Sequence, residues 1–325
     1  MFNKLFCAII TSLLYLSLST FALTKPNKII GLMAVRNESQ IIAQALKTLA
    51  CYTDGIIVLD DASDDNTVDI LETIAKDCNI LEIIKKPEWY RDEPGDKNKL
   101  LRAGRKAGGT HFIVIDADEI FTSNCLDNSY LRKQILTLNP GDKLLCSWIQ
   151  LWRSPYKFRC DDSVWSRLKG DFIFCDNVKC SYSSNFIHTS RSPNLDLEGK
   201  VHTLKAPKQY HYNCKKEFTI GLMHFQFVNW ENLLIKQAWY RCIEKIRNPK
   251  VDIGHINKIY GQSKDETNIR LVDSPKEWFT NYDFFDANIY ASVKSWQKKQ
   301  ILSWFEQYGK NYFKSLDIWD IDWSK

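Results

Sequence analysis

The sequence has no C-x-x-C pair among its ten cysteines. Structural zinc sites usually take their ligands from such closely spaced pairs, so we expect none in this chain. Clusters of like charge are lacking too, because the 44 basic and 39 acidic residues are dispersed and the net charge is only +5. A nucleic-acid-binding surface concentrates positive charge, so we expect no nucleic-acid partner.

Internal repeats and low-complexity linkers are also missing from the sequence. Its 44% hydrophobic and 26% charged content is ordinary for a globular protein, and 325 residues suffice for one large domain or two smaller ones. Because no low-complexity segment separates the two halves, we expect them to pack against each other.

Charge is lacking again in Leu5–Leu23, a stretch that follows Lys4 and has small residues near its end, up to Ala22. This layout is typical of a secretory signal peptide cleaved after Ala22. A run of about 19 residues could instead span a bilayer as an uncleaved anchor, although its five Ser and Thr residues favour cleavage. We exclude residues 1–24 from the fold and predict a protein of the secretory pathway or one associated with a membrane.

Cysteine pairing is the next question that the composition raises. Removing Cys7 with the leader leaves nine cysteines, so at least one thiol stays free or pairs between chains. Four others fall in a loop-rich region and could form disulfides in an exported protein; they are Cys160, Cys175, Cys180 and Cys214. We interpret Cys51, Cys78 and Cys146 as core residues.

The first half of the chain alternates apolar runs with helical periods, which is the βαβ pattern of a mostly parallel sheet. The predicted strands are Lys28–Val35, Gly55–Asp60, Ile80–Lys85 and Phe112–Asp116. The predicted helices between them are Gln40–Leu49, Thr67–Cys78 and Lys97–Lys106. This is half of a doubly wound α/β fold.

The second half has a different texture, with ten of the eleven Trp residues beyond Leu145. A strand is predicted at Lys143–Trp152, followed by irregular segments rich in Cys and Ser. Helical periodicity returns in Trp230–Ile246 and in Asp286–Tyr308. We expect an irregular α+β region followed by C-terminal helices.

The most informative segment is Phe112–Glu119, where a buried-strand pattern ends in two carboxylates one residue apart, Asp116 and Asp118. Open α/β sheets bind ligands at the carboxyl ends of their strands, so these hard oxygen ligands predict a site for a divalent cation and a diphosphate. A D-x-D triplet alone is a weak signal. The second one, Asp320 and Asp322, has no strand before it and is interpreted as a solvated tail.

Polar residues also follow the first two predicted strands, and neighbouring strand ends of a parallel sheet face one crevice. After the first strand these residues are Asn37 and Glu38, and after the second they are Asp60 and Asp61. We predict that the two aspartates accept hydrogen bonds from a nucleotide base or ribose. We interpret Ser63, Asp64 and Asn66 as turn and N-cap residues in front of the helix that begins near Thr67.

Three segments, Val35–Glu38, Leu59–Thr67 and Ile115–Glu119, resemble the glycosyltransferase family 2 pattern in their order and spacing. The resemblance covers residues 28–122 and implies the GT-A fold, a nucleoside diphosphate sugar donor, Mn²⁺ or Mg²⁺, and transfer with inversion. By position it also implies the ligand-binding residues. They are Asp60 or Asp61 for the nucleotide base or ribose, and Asp116 and Asp118 for ribose, metal and diphosphate. We further predict that Asn37 and Glu38, which follow the first strand, contact the nucleotide.

A bound cation next to Asp118 would neutralise the charge that develops on a departing diphosphate. Carboxylate oxygens suit Mg²⁺ or Mn²⁺. Four residues lie where the family often contacts the base or the diphosphate: Arg91, Asp96, Lys97 and Asn98. A charged helix start after Pro94 and Gly95 is the alternative for these four.

The second half resembles the family members that modify lipopolysaccharide cores, in which a His precedes a helix that carries Lys and Tyr. Here these are His224, Lys236 and Tyr240. The resemblance makes His224 an additional metal ligand and Lys236 a diphosphate contact, whereas packing among aromatic residues is the alternative for His224. His188 resembles a second family position, but Thr189 follows it where the family often has Glu, which argues against a base there.

Inversion needs a general base, and the candidates lie in the irregular segments. They are Asp161, Asp162, Asp171 and Glu198, and we choose Asp161 because it follows the strand pattern that ends near Arg159. Trp side chains of this region could stack on acceptor sugars, with core packing as the alternative. They are Trp148, Trp152 and Trp165.

Together these observations predict a nucleotide-sugar-binding half at residues 25–140, an acceptor-binding half at 141–265 and a C-terminal helical extension at 266–325. The predicted activity is metal-dependent, inverting transfer of a sugar to a glycan or lipid-linked acceptor. The alternative is a secreted, catalytically inactive GT-A-like protein that binds carbohydrate, against which the retained Asp60, Asp116 and Asp118 argue. A sugar nucleotidylyltransferase would need a Gly-rich loop after the first strand, and the sequence there is Arg36–Ser39.

Overall fold

The computed structural model describes residues 26–183, 188–194, 199–206 and 220–324. The predicted leader, Glu198 and Cys214 lie outside these residues. The strands are β1 (Ile29–Val35), β2 (Gly55–Asp60), β3 (Ile80–Lys85), β4 (His111–Val114), β5 (Glu119–Phe121), β6 (Lys143–Trp152), β7 (Lys157–Arg159), β8 (Lys169–Cys175), β9 (Val201–Thr203), β10 (Leu222–Phe227) and β11 (Leu271–Asp273). The α-helices are α1 (Ile42–Ala50), α2 (Thr67–Ile74), α3 (Glu93–Lys106), α4 (Tyr130–Ile135), α5 (Trp230–Arg247), α6 (Ile253–Gly261), α7 (Ile289–Ser292) and α8 (Gln297–Tyr308). Short 3₁₀ segments lie at Ser123–Ser129, Val164–Ser166, Gln262–Lys264, Lys276–Trp278 and Lys310–Phe313.

The first half is a parallel sheet in the order β3-β2-β1-β4. Val35 at the end of β1 lies opposite Asp60 at the end of β2, so both strands stop at one edge. β4 runs parallel to β1 and ends at the same side. The predicted α/β class is therefore confirmed, and the polar residues after these strands share one crevice.

Both faces of β1 and β2 are buried, since helices cover the sheet on either side. One apolar cluster packs α1 onto the sheet through Leu46 and Leu49, and another packs α3 onto it through Leu100 and Leu101. Each fully buried Leu or Ile stabilises the fold by roughly 1.5–3 kcal/mol. At Gly31 an added Cβ would lie 2.7 Å from a methyl of Leu49, so α1 can approach β1 only over a glycine.

Two helix ends differ from the predicted bounds by four residues each. α3 begins at Glu93, four residues before the predicted Lys97, because the Asp92 side chain accepts a hydrogen bond from the Gly95 amide and Pro94 occupies the first turn. α2 ends at Ile74, four residues before Cys78. The chain then passes through Asn79, whose φ of 50° is left-handed and incompatible with a continuing helix.

Beyond β4 the sheet becomes mixed and continues into the second half. β8 lies antiparallel to both β4 and β6, and β6 runs parallel to β10. β10 pairs antiparallel with β5, which brings His224 opposite Glu119. The two halves thus share one sheet, as the lack of a linker predicts, while the boundaries at 140/141 and 265/266 stay predictions.

The C-terminal helices form a second core, in which α5, α6 and α8 pack around Trp239, Ile243 and Phe305. The predicted helical region Asp286–Tyr308 contains two helices, α7 and α8, because the chain leaves the helical conformation at Val293. Among the described helices, none combines the length and the apolar character needed to cross a membrane.

The cysteines of the described segments carry free thiols. Cys160, Cys175 and Cys180 are buried and unbridged, so the disulfides considered among these three do not form. Cys78 and Cys146 are core residues as predicted, but Cys51 is exposed, because it follows the last turn of α1.

Candidate active site

The D-x-D residues lie in the tight turn between β4 and β5. The Glu119 carboxylate accepts a hydrogen bond from the Asp116 amide at 2.8 Å, and the Glu119 amide donates to the Asp116 carbonyl at 3.1 Å. The Asp118 carbonyl accepts from the Phe225 amide of β10 at 2.9 Å. The turn is therefore held rigidly at the carboxyl edge of the sheet.

Asp118 faces two side chains from the second half. Its Oδ2 lies 3.7 Å from Nε2 of His224 on β10 and 3.4 Å from Nζ of Lys236 on α5. Burial alone would raise the pKa of Asp118, but Lys236 and His224 outweigh it and hold that pKa well below its usual value. Burial alone would lower the pKa of Lys236, but the nearby Asp118 carboxylate raises it by more, so the net shift is upward. Both groups are charged at neutral pH.

Asp116 has a different partner, which the sequence did not suggest. Its two carboxylate oxygens accept from the Arg191 guanidinium at 2.5 and 2.6 Å, and Arg191 also donates to Glu119 at 2.8 Å. Burial would raise the pKa of Asp116, and Arg191 lowers it by more. Arg191 lies in an irregular segment 75 residues downstream of Asp116, where periodicity carries no signal.

A divalent cation fits the Asp118 side of this turn. A carboxylate oxygen and an imidazole nitrogen suit Mn²⁺, and their 3.7 Å separation is within the reach of two bonds of about 2.1 Å. Across the described ranges, no three His, Cys, Asp or Glu side chains group closely enough to hold a metal ion. The two residues supply only part of a ligand shell, as is usual for Mg²⁺-type sites that keep waters and substrate phosphates.

The residues after β1 also meet at this crevice. Asn37 has a left-handed φ of 55°. Its side-chain nitrogen donates to the Asp64 carboxylate at 2.7 Å, and its side-chain oxygen accepts from the backbone amide of Asp64 at 2.8 Å. Asn37 thereby links the ends of β1 and β2. Glu38 lines a cavity with Asp118, Lys236 and Trp296. Burial, followed by the nearby Asp118, raises the pKa of Glu38 to about 8.

The two aspartates after β2 have unequal surroundings. Asp60 is buried, its Oδ2 accepts from the Ser63 amide at 3.1 Å, and its Oδ1 has no hydrogen-bond partner within the part of the chain that the structure describes. An unsatisfied buried acceptor costs about 1–3 kcal/mol, so this atom fits a donor on a ligand. Asp61 instead forms a buried ion pair with Lys86 at 2.5 Å, and Lys86 also binds Asp96 at 2.9 Å.

Arg36 packs against two tryptophan rings next to this crevice, a cluster that the sequence did not predict. The Arg36 guanidinium donates to the Asp61 carbonyl at 2.5 Å and lies 5.5 Å from the Trp89 ring and 5.3 Å from the Trp296 ring. The indole N–H of Trp89 is buried, and no acceptor for it lies within the described residues. Trp296 belongs to the C-terminal segment, so only the fold brings the three side chains together.

Lys97 contacts the chain itself. Its Nζ donates to the carbonyls of Thr189 at 2.6 Å and Ser190 at 3.1 Å, and so anchors the segment that carries Arg191. Burial, followed by Arg191, lowers the pKa of Lys97 to about 8. Nearby, the Asn98 amide donates to the Tyr182 carbonyl at 2.8 Å. Nucleotide contact by Lys97 stays a prediction.

The chosen base, Asp161, has several partners of its own. It accepts from Arg159 at 2.6 Å, from the Ser163 amide at 2.8 Å and from the Ser166 hydroxyl at 3.0 Å. Burial raises its pKa, but these bonds prevail and lower it to about 2, which makes Asp161 a weak proton acceptor. Its role stays a prediction.

The other predicted residues of the second half are distributed as follows. Asp171 lies next to the Arg191 segment, where it accepts from the Ser190 hydroxyl at 2.9 Å and from the Ser192 hydroxyl. His188 Nε2 lies 2.9 Å from the Tyr260 hydroxyl. Trp152 is fully buried and stacks on Phe227 with ring centroids 4.5 Å apart, so the core alternative holds for it.

Comparison with known proteins gives one family match. The model of the family described as "Glycosyl transferase family 2" matches residues 32–130, which contain all three strand-end motifs. No curated protein matches this sequence. The family match indicates a glycosyltransferase, as predicted, and leaves the resemblance to the lipopolysaccharide-core subset a prediction.

Solved structures give weak likenesses. S. aureus TarS 1-349 is 16% identical, with 74% of this chain and 73% of that chain covered and a TM-score of 0.40. The same protein in complex with UDP is 15% identical with the same coverage and a TM-score of 0.36. Mannosyltransferase PcManGT from Pyrobaculum calidifontis, in complex with GDP-Man and Mn²⁺, is 14% identical, with 94% and 90% covered and a TM-score of 0.34.

Proposed function

We propose that this chain transfers a sugar, with inversion, from a nucleoside diphosphate sugar to a glycan or lipid-linked acceptor, with Mn²⁺ or Mg²⁺ bound by Asp118 and His224. The observation that supports this most directly is the convergence of Asp118, His224 and Lys236 at the sheet edge where the family 2 motifs end. The chain would act in the secretory pathway or at a membrane, in keeping with its predicted leader.

The nucleotide is proposed to bind where β1 and β2 end. Asp60 presents an unsatisfied carboxylate oxygen there, and Trp89 presents an unsatisfied indole N–H, each within the described part of the molecule. A base or ribose supplies both a donor and an acceptor to such groups. Asn37 and Glu38 line the cavity next to Asp118 and are proposed to contact the nucleotide alongside Lys97.

The diphosphate is proposed to lie between Lys236 and Arg191. When bound, a divalent cation supplies Lewis-acid stabilisation of the leaving group. Lys236 adds a fixed positive charge, because Asp118 keeps it protonated. Arg191 now forms a bidentate pair with Asp116, and its planar fork can bind a phosphate in the same way.

The acceptor proton needs a carboxylate, and Asp161 is the proposed base. Its low pKa and its three hydrogen-bond partners weaken that role in this conformation. Asp171 is a second candidate because it lies next to the segment that carries Arg191, although it too has three partners: Lys143, Ser190 and Ser192. Asp161→Asn and Asp171→Asn, compared for kcat with saturating donor, decide between them: the base variant loses turnover while keeping donor affinity.

The activity is tested by a screen of UDP- and GDP-sugars for binding and hydrolysis, with Mn²⁺ or with a chelator. Metal-dependent hydrolysis in the parent and its loss in Asp118→Asn are expected. Asp322→Asn, in the second D-x-D triplet, is the matched control and should behave like the parent. Binding of glycans without any donor binding or turnover would favour the inactive carbohydrate-binding alternative and overturn the proposal.

A further inference from the structure

The orientation of the His224 ring is set by one buried amide. Gln150 on β6 lies opposite His224 on β10 in the parallel register, and its Oε1 lies 2.8 Å from His224 Nδ1. The amide nitrogen of Gln150 donates to the Trp148 carbonyl at 3.1 Å. A carbonyl can only accept, so this second bond decides which end of the Gln150 amide faces the imidazole.

The hydrogen-bond pattern also decides where the His224 proton lies. Because Gln150 presents an oxygen, Nδ1 must carry a hydrogen to bond with it. In the neutral ring, Nε2 is then the nitrogen with the free lone pair, and it is the atom 3.7 Å from Asp118 Oδ2. A metal-binding imidazole needs this arrangement, with one nitrogen donating to a buried acceptor and the other open to the ion.

Packing leaves the ring little freedom to turn. Trp148 stacks on His224 with centroids 4.8 Å apart and an interplanar angle of 21°, and Phe227 meets its edge at 5.9 Å. Gln150 is 1% exposed and His224 5%, so water has little access to the hydrogen bond between them. Strand pairing, stacking and the amide together hold Nε2 toward Asp118.

We propose that Gln150 is a positioning residue that holds His224 in the tautomer whose Nε2 binds a divalent cation next to Asp118. The inference rests on the proposed metal site and adds to it the residue that organises it. Loss of such an outer partner typically weakens metal binding about 10–100-fold. Gln150→Met, which keeps a similar shape but lacks the carbonyl acceptor, should weaken Mn²⁺ binding by about that factor.

The experiment is a titration of the whole chain with Mn²⁺, followed by electron paramagnetic resonance of the free ion, and a competing titration with Mg²⁺. Gln150→Glu keeps an acceptor for Nδ1–H and should retain Mn²⁺ affinity. Gln300→Met removes the side-chain amide of another glutamine, which accepts from the Trp239 indole N–H at 2.6 Å in the C-terminal core, and serves as the control with parental affinity. Only Gln150→Met should lose the preference for Mn²⁺ over Mg²⁺, because the nitrogen ligand discriminates between these ions.

The outcomes separate the two ideas. If the parent binds no Mn²⁺, the proposed metal site fails. If the parent binds Mn²⁺ and Gln150→Met matches it in affinity and ion preference, the role of Gln150 is overturned while the site stands. Nitrogen-15 NMR of the parent histidines reads the tautomer without any variant: a protonated Nδ1 on His224 is expected, and a neutral ring protonated at Nε2 overturns the inference even if Gln150→Met does not fold.

Discussion

The two carboxylates of the D-x-D turn are only two residues apart, yet they belong to opposite sides of the site. Asp118 faces His224 and Lys236, which lie on a strand and a long helix. Asp116 faces Arg191, which lies in an irregular segment held by side-chain contacts. One side is thus built on regular elements, and the other depends on a segment attached by Lys97 and Asp171.

The difference assigns distinct tasks to the two sides. The Asp118 carboxylate lies next to the His224 imidazole and has a single contact with Lys236 at 3.4 Å, whereas both oxygens of Asp116 are held by the Arg191 guanidinium. A bidentate Arg pair is strong, so Asp116 becomes a ligand only if Arg191 finds another anion. A diphosphate is such an anion, and its arrival would couple the two sides.

The largest effect is expected from Asp118→Asn. Loss of the charge that faces His224 and Lys236 should lower metal-dependent donor hydrolysis by about 10²–10³-fold, the usual cost of removing one group that stabilises the developing charge. Initial rates at saturating Mn²⁺ measure this. Rates within twofold of the parent would show that Asp118 is not the metal-binding side.

The next largest effect concerns the base end of the donor. Asp60→Asn should weaken donor binding about tenfold or more without much loss of stability, because a hydrogen bond to a charged group contributes roughly 1.5–3 kcal/mol. Isothermal titration with UDP and GDP measures it. Asp61→Asn is the matched comparison: it leaves Lys86 with one carboxylate partner fewer, so the free energy of unfolding should fall while donor affinity changes little. The reverse pattern would exchange the roles of the two residues.

Arg191→Ala should have a smaller effect, and one that differs in sign between the affinity for the metal and the affinity for the nucleotide. Freeing Asp116 should strengthen Mn²⁺ binding about tenfold, a change of about 1.4 kcal/mol, and should weaken nucleoside diphosphate binding. Paired titrations with Mn²⁺ and with UDP measure both. If Mn²⁺ binding weakens as well, Arg191 stabilises the metal site instead of competing for its carboxylate.

The smallest effect is a pH dependence of stability from Lys97. Its folded pKa, lowered to about 8 by burial and Arg191, lies below the 10.5 that is usual for lysine, so folding disfavours its charged form. The resulting cost is complete below pH 8 and is relieved as pH rises from 8 to 10.5, where the native state loses this proton first. Lys97→Met lacks this relief, so the parent should gain stability relative to the variant across that range. Urea unfolding at several pH values measures it, and a constant difference would contradict the lowered pKa.

Much of the first half followed from local pattern. The bounds of β2 and β3 agree with the predicted strands. β2 is a continuous apolar run that is buried inside the sheet, whereas β3 is the partly exposed edge strand beside it. The meeting of Asp60 and Asp118 at one edge also followed, since parallel strands place their carboxyl ends together. Helix ends were less predictable, as Asp92 shows, because a single cap bond moves a boundary by a turn.

The sequence by itself determined the α/β class, the three strand-end motifs and the residues that the motifs contain. Only the tertiary structure decided that Arg191 pairs with Asp116, that Trp296 lies next to Arg36 and that Gln150 orients His224. The physical reason is the range of the interactions. Hydrophobic periodicity and strand-end polarity act between near neighbours in the chain, whereas these pairs join residues about 75 to 260 positions apart that become neighbours only when the sheet is complete.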